Sequence, residues 1–534
     1  MSELFRVALA QLNPTVGALK GNVDQIKHTV QSLQGQNVDY IVFPELFLSG
    51  YPLQDLVTKK SFVQDCMEHL KELASWNTGD STIGIGSPWI INEDVYNCFF
   101  ALSKGEIQAI VQKHHLPNKE VFDEIRQFKS GPISGPYRIG NVRVGTPICE
   151  DAWFEDVAET LVESGAEILI VPNGSPYERN KLDRRFNLMV ARVVETELPL
   201  VYLNLVGGQD DQVFDGGSFT LNRGGKLVSQ FPLFDEHVEI LEFKKTPAGW
   251  EAQESNLALI PEEVEQDYRA IVEGVRNYIH KSGFSKVVLG LSGGIDSALV
   301  ATIAVDAIGP DNTRCVLLPS PFTSPQSRND ALELVGNLNC KIEEIQIKPI
   351  MEQVVNSLDS IFADKPPDLT EENIQSRIRG MLLMAISNKF GEILLTTGNK
   401  SEVAVGYTTI YGDMAGGYNP IKDLYKTKLN KICRWRNLNF RSWMKGASGQ
   451  VIPPQIISKP PTAELRENQK DTDSLPPYEI LDQILEMLID NDLSVREVVE
   501  KGFELELVQK VEQLIYRSEY KRFQSAPGCK HRRK

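Results

Sequence analysis

The stretch VVLGLSGGIDSALVATIAVDAIG, residues 287–309, begins as a β-type apolar run and ends as a helical one, with Ser292, Gly293, Gly294 and Asp296 gathered in the turn. A strand that ends in Ser-Gly-Gly lets backbone N–H groups approach an anion, and the following helix adds its positive N-terminal end. The run Gly290, Leu291, Ser292, Gly293, Gly294, Ile295, Asp296 and Ser297 is therefore read as a phosphate cradle. It lacks the lysine that neutralises phosphate charge in the common phosphate loop during phosphoryl transfer. An aspartate there repels phosphate unless a divalent cation stands between them, so Asp296 implies Mg²⁺ bridging to a pyrophosphate. The alternative is that Asp296 only caps the helix.

A second set of reactive types lies upstream. In TPICEDAWF, Cys149 falls between a β-type run and a helical one, at a bend able to present a nucleophile. A thiol that attacks a carbonyl needs a base, and its tetrahedral intermediate needs a cation. YIVFPELFLSGY offers Glu45 and IVQKHHLPN offers Lys113, each at the end of a β-type run. Taken alone, Cys149 reads more readily as an unreactive buried thiol, the commonest fate of a cysteine.

The elements that must carry these residues are of one kind. From Phe5 to about Phe243, runs such as RVALAQL, YIVFPEL, STIGIGS, NCFFALS, AEILIVPN and LPLVYLNL alternate with helical stretches at 61–75 and 182–196, the pattern of a layered α/β domain. Residues 1–243 are taken as the first domain and 244–263, weakly periodic with two prolines, as a linker. From Val264 a helix leads into the loop-bearing strand, and TRCVLLPS, KIEEIQI and EILLTTGN continue an α/β pattern expected to form a doubly wound parallel sheet over 264–534. Residues 439–477, rich in Pro, Ser and charge, read as a long functional or partly mobile loop, and the basic KHRRK end as a solvated tail.

The totals exclude several classes. A chain of 534 residues exceeds one core, and a net charge of −16 repels nucleic acid and anionic membrane. The N-terminus carries Glu3 and Arg6 with no uninterrupted apolar run, so neither a signal peptide nor a membrane span is expected, and the chain reads as cytoplasmic. Seven scattered cysteines without a C-x-x-C pair argue against a disulfide framework or a zinc site. Adjacent His114 and His115 point to different sides in either a strand or a helix, so metal ligation there is not expected.

Taken together, the motifs carry resemblances. F-P-E, K-x-x-L-P-N and C-E-D-x-W, in that order, resemble the nitrilase superfamily, which implies an α-β-β-α sandwich with Glu45 as general base, Cys149 as nucleophile and Lys113 as oxyanion stabiliser. The same likeness implies a further carboxylate at Glu124 and a role for Ser175 and Lys181 in binding glutamine. SGGIDSA resembles the ATP-pyrophosphatase signature, in which ATP is held by its leaving pyrophosphate and AMP is transferred. LLTTGNKSEVAVGYTTIYGDMAGGYNPIKDLYKT and DSLPPYEILD resemble the glutamine-dependent NAD synthetase family. That likeness implies Thr397 at ATP, Glu402 at the metal beside Asp296 and at the dinucleotide, and Asn373 and Lys521 at deamido-NAD. It also implies at least a homodimer through the second domain. One position departs from the family: Lys119 follows L-P-N where a glutamine-holding Tyr is usual.

The reaction implied is deamido-NAD, ATP and glutamine giving NAD, AMP, pyrophosphate and glutamate, with Mg²⁺ as cofactor. Free ammonia is mostly protonated in neutral water, so a fused glutaminase is expected to deliver it through a sheltered passage. An amidotransferase acting on another carboxylate, or a nitrilase-like scaffold without catalysis, are the competing readings. The string YGDMAGGYNPIKDLYKT speaks against the first, and intact Glu45, Lys113 and Cys149 against the second.

Overall fold

The computed structural model describes residues 3–119, 121–363 and 365–531, so Arg532, Arg533 and Lys534 of the basic tail lie outside the described residues. The chain divides into two compact units, one ending at Pro261 and the other beginning at Glu262, with residues 210–212 grouped with the second.

The first unit contains strands β1 (Leu4–Gln11), β2 (Tyr40–Val42), β3 (Thr82–Ile91), β4 (Asp94–Ser103), β5 (Glu106–Gln112), β6 (Tyr137–Ile139), β7 (Val142–Gly145), β8 (Ile168–Asn173) and β9 (Leu200–Asn204). They are followed by β10 (Val206–Gln209), β11 (Gln212–Asp215), β12 (Phe219–Asn222), β13 (Lys226–Gln230), β14 (His237–Thr246) and β15 (Gly249–Ala252). Its helices are α1 (Leu19–Ser32), α2 (Lys60–Trp76), α3 (Glu124–Gln127), α4 (Glu155–Glu163) and α5 (Lys181–Thr196). Two sheets dominate, ordered β15-β14-β1-β2-β3-β4-β5 and β13-β12-β9-β8-β7-β6.

Alternation along the strands decides the layering, because successive side chains point to opposite faces. Phe5, Val7 and Leu9 share one core with Val144, Ile168, Ile170, Val201 and Leu203 of the other sheet. Ala8 and Ala10 point the other way, into a core with Ile26 of α1 and Leu70 of α2. On the far side, Leu169 and Val171 pack with Leu161 of α4 and Met189 and Val193 of α5. The result is the expected α-β-β-α sandwich. Residues 244–252, where the sequence suggests linker, form a hairpin: β14 runs to Thr246, the chain turns at 247–248, and β15 pairs antiparallel with β14 at the sheet edge. Their polar alternation is that of an edge strand with one wet face, which local periodicity does not separate from a loop.

The second unit contains α6 (Glu263–Lys281), β16 (Val287–Leu291), α7 (Ile295–Ile308), β17 (Thr313–Leu317), α8 (Pro325–Leu338), β18 (Lys341–Glu344), α9 (Lys348–Phe362), α10 (Leu369–Phe390), β19 (Ile393–Leu395), α11 (Lys400–Val405) and α12 (Lys426–Leu438). Its parallel sheet has the order β18-β17-β16-β19. Val287, Leu289 and Leu291 face Ile271 of α6 and Leu299 of α7. Val288, between them, faces Ile350 of α9 and Ile378 of α10. Helices thus cover both faces, as expected of a doubly wound sheet, and the chain reverses direction of winding between β16 and β19. Ligands of such sheets bind outside the strand C-termini at that switch point. Residues 439–477 pack rather than project: Met444, Val451, Ile452 and Ile456 enter the same core as α7. Among the described residues no helix is long and apolar enough to cross a membrane.

Candidate functional sites

In the first unit, strand ends bring the expected catalytic residues together. Glu45 lies three residues beyond β2, Lys113 directly follows β5, Glu124 opens α3, and Cys149 opens a 3-10 turn after β7. The Lys113 ammonium lies 2.7 Å from Glu45 Oε1 and 2.8 Å from Glu124 Oε2, with all three side chains buried. Glu45 also accepts from Asn97 Nδ2 and from the Gly174 N–H, each at 2.8 Å. Tyr51 donates its hydroxyl to Glu124 at 2.8 Å. Two carboxylates thus share one lysine in a dry cluster.

Burial works against the Lys113 charge, but Glu124 and Glu45 outweigh it and hold the ammonium firmly protonated. Burial pushes the Glu124 carboxyl up to about 7, against the pull of Lys113. Cys149 is 5% exposed, and burial, reinforced by the Glu45 charge, raises its thiol well above the ordinary value while Lys113 partly offsets this. Burial therefore favours the neutral thiol over the thiolate at this position. Its backbone φ of +49° lies in the left-handed region, a conformation of the kind that collects at functional turns.

Asp151 is the acid of the C-E-D-x-W motif that follows Cys149 and Glu150. Its Oδ1 accepts the N–H groups of His114 at 3.0 Å and His115 at 2.7 Å, and its Oδ2 accepts that of Ile148 at 3.0 Å. One buried carboxylate therefore ties the backbone just after Lys113 to the residue just before Cys149. Burial raises this carboxyl to about 6, although the three N–H donors favour its charge.

The residues assigned to glutamine are arranged differently from one another. Ser175 is buried, its hydroxyl accepting from Arg185 Nε at 3.1 Å, and Arg185 is in turn paired with Asp215 at 2.8 Å. Lys181, also buried, begins α5 with its ammonium 5.7 Å from the Phe122 ring centroid and 3.6 Å from Glu178. Phe122 lies against Tyr51, which links Lys181 to the Glu124 end of the cluster. Lys119 is half-exposed, 3.3 Å from Glu150 Oε1 and 5.5 Å from the Trp153 ring centroid, so the departure from the family pattern is an ion-paired cation beside the Cys149 turn. His114 and His115 lie in a loop, where the strand or helix rule for their directions does not apply. Their ring centroids are 4.7 Å apart, and His115 Nε2 meets Asp156 at 2.8 Å.

In the second unit a cavity of about 300 Å³ opens at the C-terminal ends of β16, β17 and β19. Its wall includes Gly290, Leu291, Ser292, Gly294, Ile295, Asp296, Ser297, Thr397 and Glu402. Gly293 has φ +79°, and a Cβ there would lie 2.1 Å from the Ser327 carbonyl oxygen, so only glycine fits this close approach of loop and α8. Ser292 Oγ and Ser297 Oγ lie 3.0 Å apart, and the former accepts the Gly294 N–H at 3.2 Å. These contacts hold the turn open at the N-terminus of α7, where backbone donors favour an anion.

Asp296 faces Lys426, a residue inside a quoted motif but given no role. Lys426 Nζ lies 2.5 Å from Asp296 Oδ2 and 3.0 Å from Glu402 Oε1. Asn399 donates to Asp296 Oδ1 at 2.7 Å and accepts the Glu402 N–H at 3.0 Å, which fixes the second carboxylate on α11 relative to the first on α7. Burial pushes Glu402 up to about 7 against the pull of Lys426. Asp471 also lines the wall and accepts from Tyr478 at 3.0 Å. Asp296 and Glu402 both meet the Lys426 ammonium, so two hard carboxylate oxygens, the donor type that Mg²⁺ takes, face a cation here.

The residues 439–477 contribute Lys459, Glu464 and Asp471 to the cavity wall. Arg379 also faces it, its Nε donating to the Leu318 carbonyl at 3.0 Å, and burial lowers its guanidinium to about 10. A desolvated guanidinium on the wall of this cavity is suited to an anion. Asn373 and Lys521 are not part of this wall. Both meet the 406–413 loop: Thr409 donates to Asn373 Oδ1 at 3.0 Å, and Lys521 donates to the carbonyls of Gly406 and Thr408, each at 2.7 Å.

Comparison with known proteins covers both units. A carbon-nitrogen hydrolase family model matches residues 6–246, and an NAD synthase family model matches residues 267–525. Glutamine-dependent NAD(+) synthetase from Rhodobacter capsulatus is 54% identical over 528 residues, covering 99% of this chain and 96% of that protein. The protein of the same name from Synechocystis sp. is 42% identical, with 99% and 96% covered. The solved structure of glutamine-dependent NAD+ synthetase from Acinetobacter baumannii in complex with adenosine diphosphate aligns with a TM-score of 0.79 at 36% identity, covering 100% of this chain and 97% of that one.

Proposed function

The chain belongs to the family of glutamine-dependent NAD(+) synthetases, carbon–nitrogen ligases with glutamine as amide donor, and from that premise we propose how its residues divide the reaction. Residues 1–243, with the β14–β15 hairpin that completes their sheet, form the glutaminase portion and 264–534 the synthetase portion. Glu45 takes the proton of Cys149, whose sulfur attacks the amide carbon of glutamine, and Lys113 stabilises the oxyanion. Ammonia leaves, a glutamyl thioester remains, and water releases glutamate. Glu124 holds Lys113 in position, while Ser175, Lys181 and Lys119 form the glutamine side of the site. The observation that carries this half is the buried Lys113 shared by Glu45 and Glu124, the charges that also act on the Cys149 thiol.

In the synthetase portion, residues 290–297 and Thr397 bind ATP, and the nicotinate carboxylate of deamido-NAD attacks its α-phosphorus. AMP transfer rather than phosphoryl transfer accounts for a cradle without the usual lysine. Asp296 and Glu402 would hold Mg²⁺, which when bound neutralises the departing pyrophosphate. Asn373, Glu402 and Lys521 contact deamido-NAD, and ammonia then displaces AMP to give NAD. The protein acts as a homodimer or larger assembly, without nucleic acid or membrane, in the cytoplasm. Product analysis tests the whole reading: deamido-NAD, ATP, Mg²⁺ and glutamine should yield NAD, AMP, pyrophosphate and glutamate, whereas ADP or unconverted deamido-NAD would exclude it.

Asp151 acts here as a positioning residue. Asp151→Asn keeps the shape but removes the charge and one acceptor, at a cost of roughly 1.5–3 kcal/mol for a charged hydrogen-bond set. Glutamine-driven kcat should fall about 10- to 100-fold as Cys149 and Lys113 lose register, while synthesis from ammonium stays unchanged. A parallel loss of both activities would reduce Asp151 to a folding role.

Lys119→Tyr restores the family residue and frees Glu150 from its 3.3 Å cation. If Lys119 holds glutamine weakly, the variant should show a lower KM for glutamine, with ammonium-driven synthesis unaltered. An unchanged or higher KM would show that the pocket has adapted to lysine.

A further inference from the structure

Six of the seven cysteines are buried, and Cys340 alone is partly exposed. It directly follows Asn339, the exposed residue that ends α8 in a left-handed conformation with φ +53°. Its sulfur lies 3.7 Å from that of Cys315, which is buried in the middle of β17. The two strands are parallel neighbours, with Arg314 opposite Lys341 and Cys315 opposite Ile342, so the thiols meet across the start of the β17–β18 pair. Neither belongs to the phosphate cavity or to the Cys149 cluster. An accessible thiol with a second thiol at its back is the arrangement of a peroxide-sensitive pair, the first sulfur taking the oxidant and the second resolving it.

We propose that Cys340 and Cys315 form a reversible thiol–disulfide site whose oxidant is hydrogen peroxide. The Cys340 sulfur attacks one peroxide oxygen and the O–O bond breaks. The peroxide is reduced by two electrons, water leaves, and Cys340 becomes a sulfenic acid. Cys315 then attacks the Cys340 sulfur, the S–O bond breaks, and a second water carries away the Cys315 proton. The sum is two thiols and one peroxide giving one disulfide and two waters.

The electrostatics agree with this order. The hydrogen bond from Cys315 holds the Cys340 thiol below its ordinary value and raises Cys315. By contrast, burial pushes Cys66 up to about 12 and raises Cys98, Cys149, Cys433 and Cys529 further. Partial exposure and a lowered thiol therefore coincide at Cys340, while the other six cysteines are buried. Closing 3.7 Å to the about 2.05 Å of a disulfide requires the Asn339–Cys340 corner to move, and that corner is the exposed side of the pair.

The test is peptide mapping of the full-length protein after a brief exposure to stoichiometric hydrogen peroxide, without reductant. The expected product is a single cross-linked peptide pair joining Cys315 to Cys340, lighter by two hydrogens and returned to free thiols by dithiothreitol. In Cys315→Ser the resolving thiol is gone, so Cys340 should instead accumulate as a sulfenic acid captured by dimedone. Cys340 left as a free thiol, oxidised past the sulfenic stage without cross-linking, or joined to a different cysteine in the wild-type chain would overturn the proposal. The wild-type map decides this even if the serine variant fails to fold.

Discussion

Cys149→Ala is expected to lower glutamine-driven NAD formation by about 10⁴-fold or more, the scale seen when a covalent nucleophile is removed. The same variant should keep near-normal synthesis when ammonium salt is supplied at a pH high enough to give free ammonia. The split follows from chemistry: the thiol forms the glutamyl thioester but has no part in transferring AMP to a carboxylate. Alanine also fits the site, since Cys149 is buried beside Ile148 and Ala152 and the substitution only shortens a side chain. Assays with the two nitrogen sources, run beside a circular dichroism melt, check both halves. Substantial glutamine-driven activity would deny Cys149 its role. Loss of ammonium-driven activity in a normally folded variant would mean that the glutaminase and synthetase functions are not separable.

Asp296→Asn should be equally damaging but in a different pattern. Synthesis should fall by about 10³-fold with either nitrogen source, the upper range for losing one preorganised electrostatic contact, because metal-held pyrophosphate is common to both. The substitution preserves the side-chain shape and an acceptor for Asn399, but removes the charge that faces Lys426 at 2.5 Å. Asp296 is the second residue of α7, whose N-cap is Gly294, so a mere helix-end role predicts a loss of only about 0.3–1 kcal/mol in stability and little loss of activity. AMP formation under saturating ammonium separates the two cases, and glutamine hydrolysis measured alone should remain intact.

The sequence by itself determined the layers and the family resemblance that the comparisons bear out. Strand alternation and helical periodicity are local properties, so RVALAQL and VVLGL announce their faces wherever the chain later places them, and the structure brings them into a sandwich and a parallel sheet. The candidates Glu45, Lys113 and Cys149 stand out for the same reason: each lies within four residues of the end of a strand, where a short motif carries the type and the spacing together. Residues 244–252 mark the limit of that reading, since an edge strand with one wet face lacks the continuous apolar run by which buried strands are recognised.

What only the tertiary structure decided were the partners. Lys426 lies 130 positions from Asp296, the Gly174 N–H lies 129 positions from Glu45, and Asp151 joins backbone 36 positions away to the Cys149 turn. None of these separations has a local signature. Strand order creates them: because β16 pairs directly with β19, Leu289 beside Leu395, the loop after one strand must meet the loop after the other, and Asn399 reaches Asp296. Charge balance in a buried site depends on such long-range pairing, since a carboxylate removed from water is held ionised only by the cation or N–H donors that the fold delivers to it.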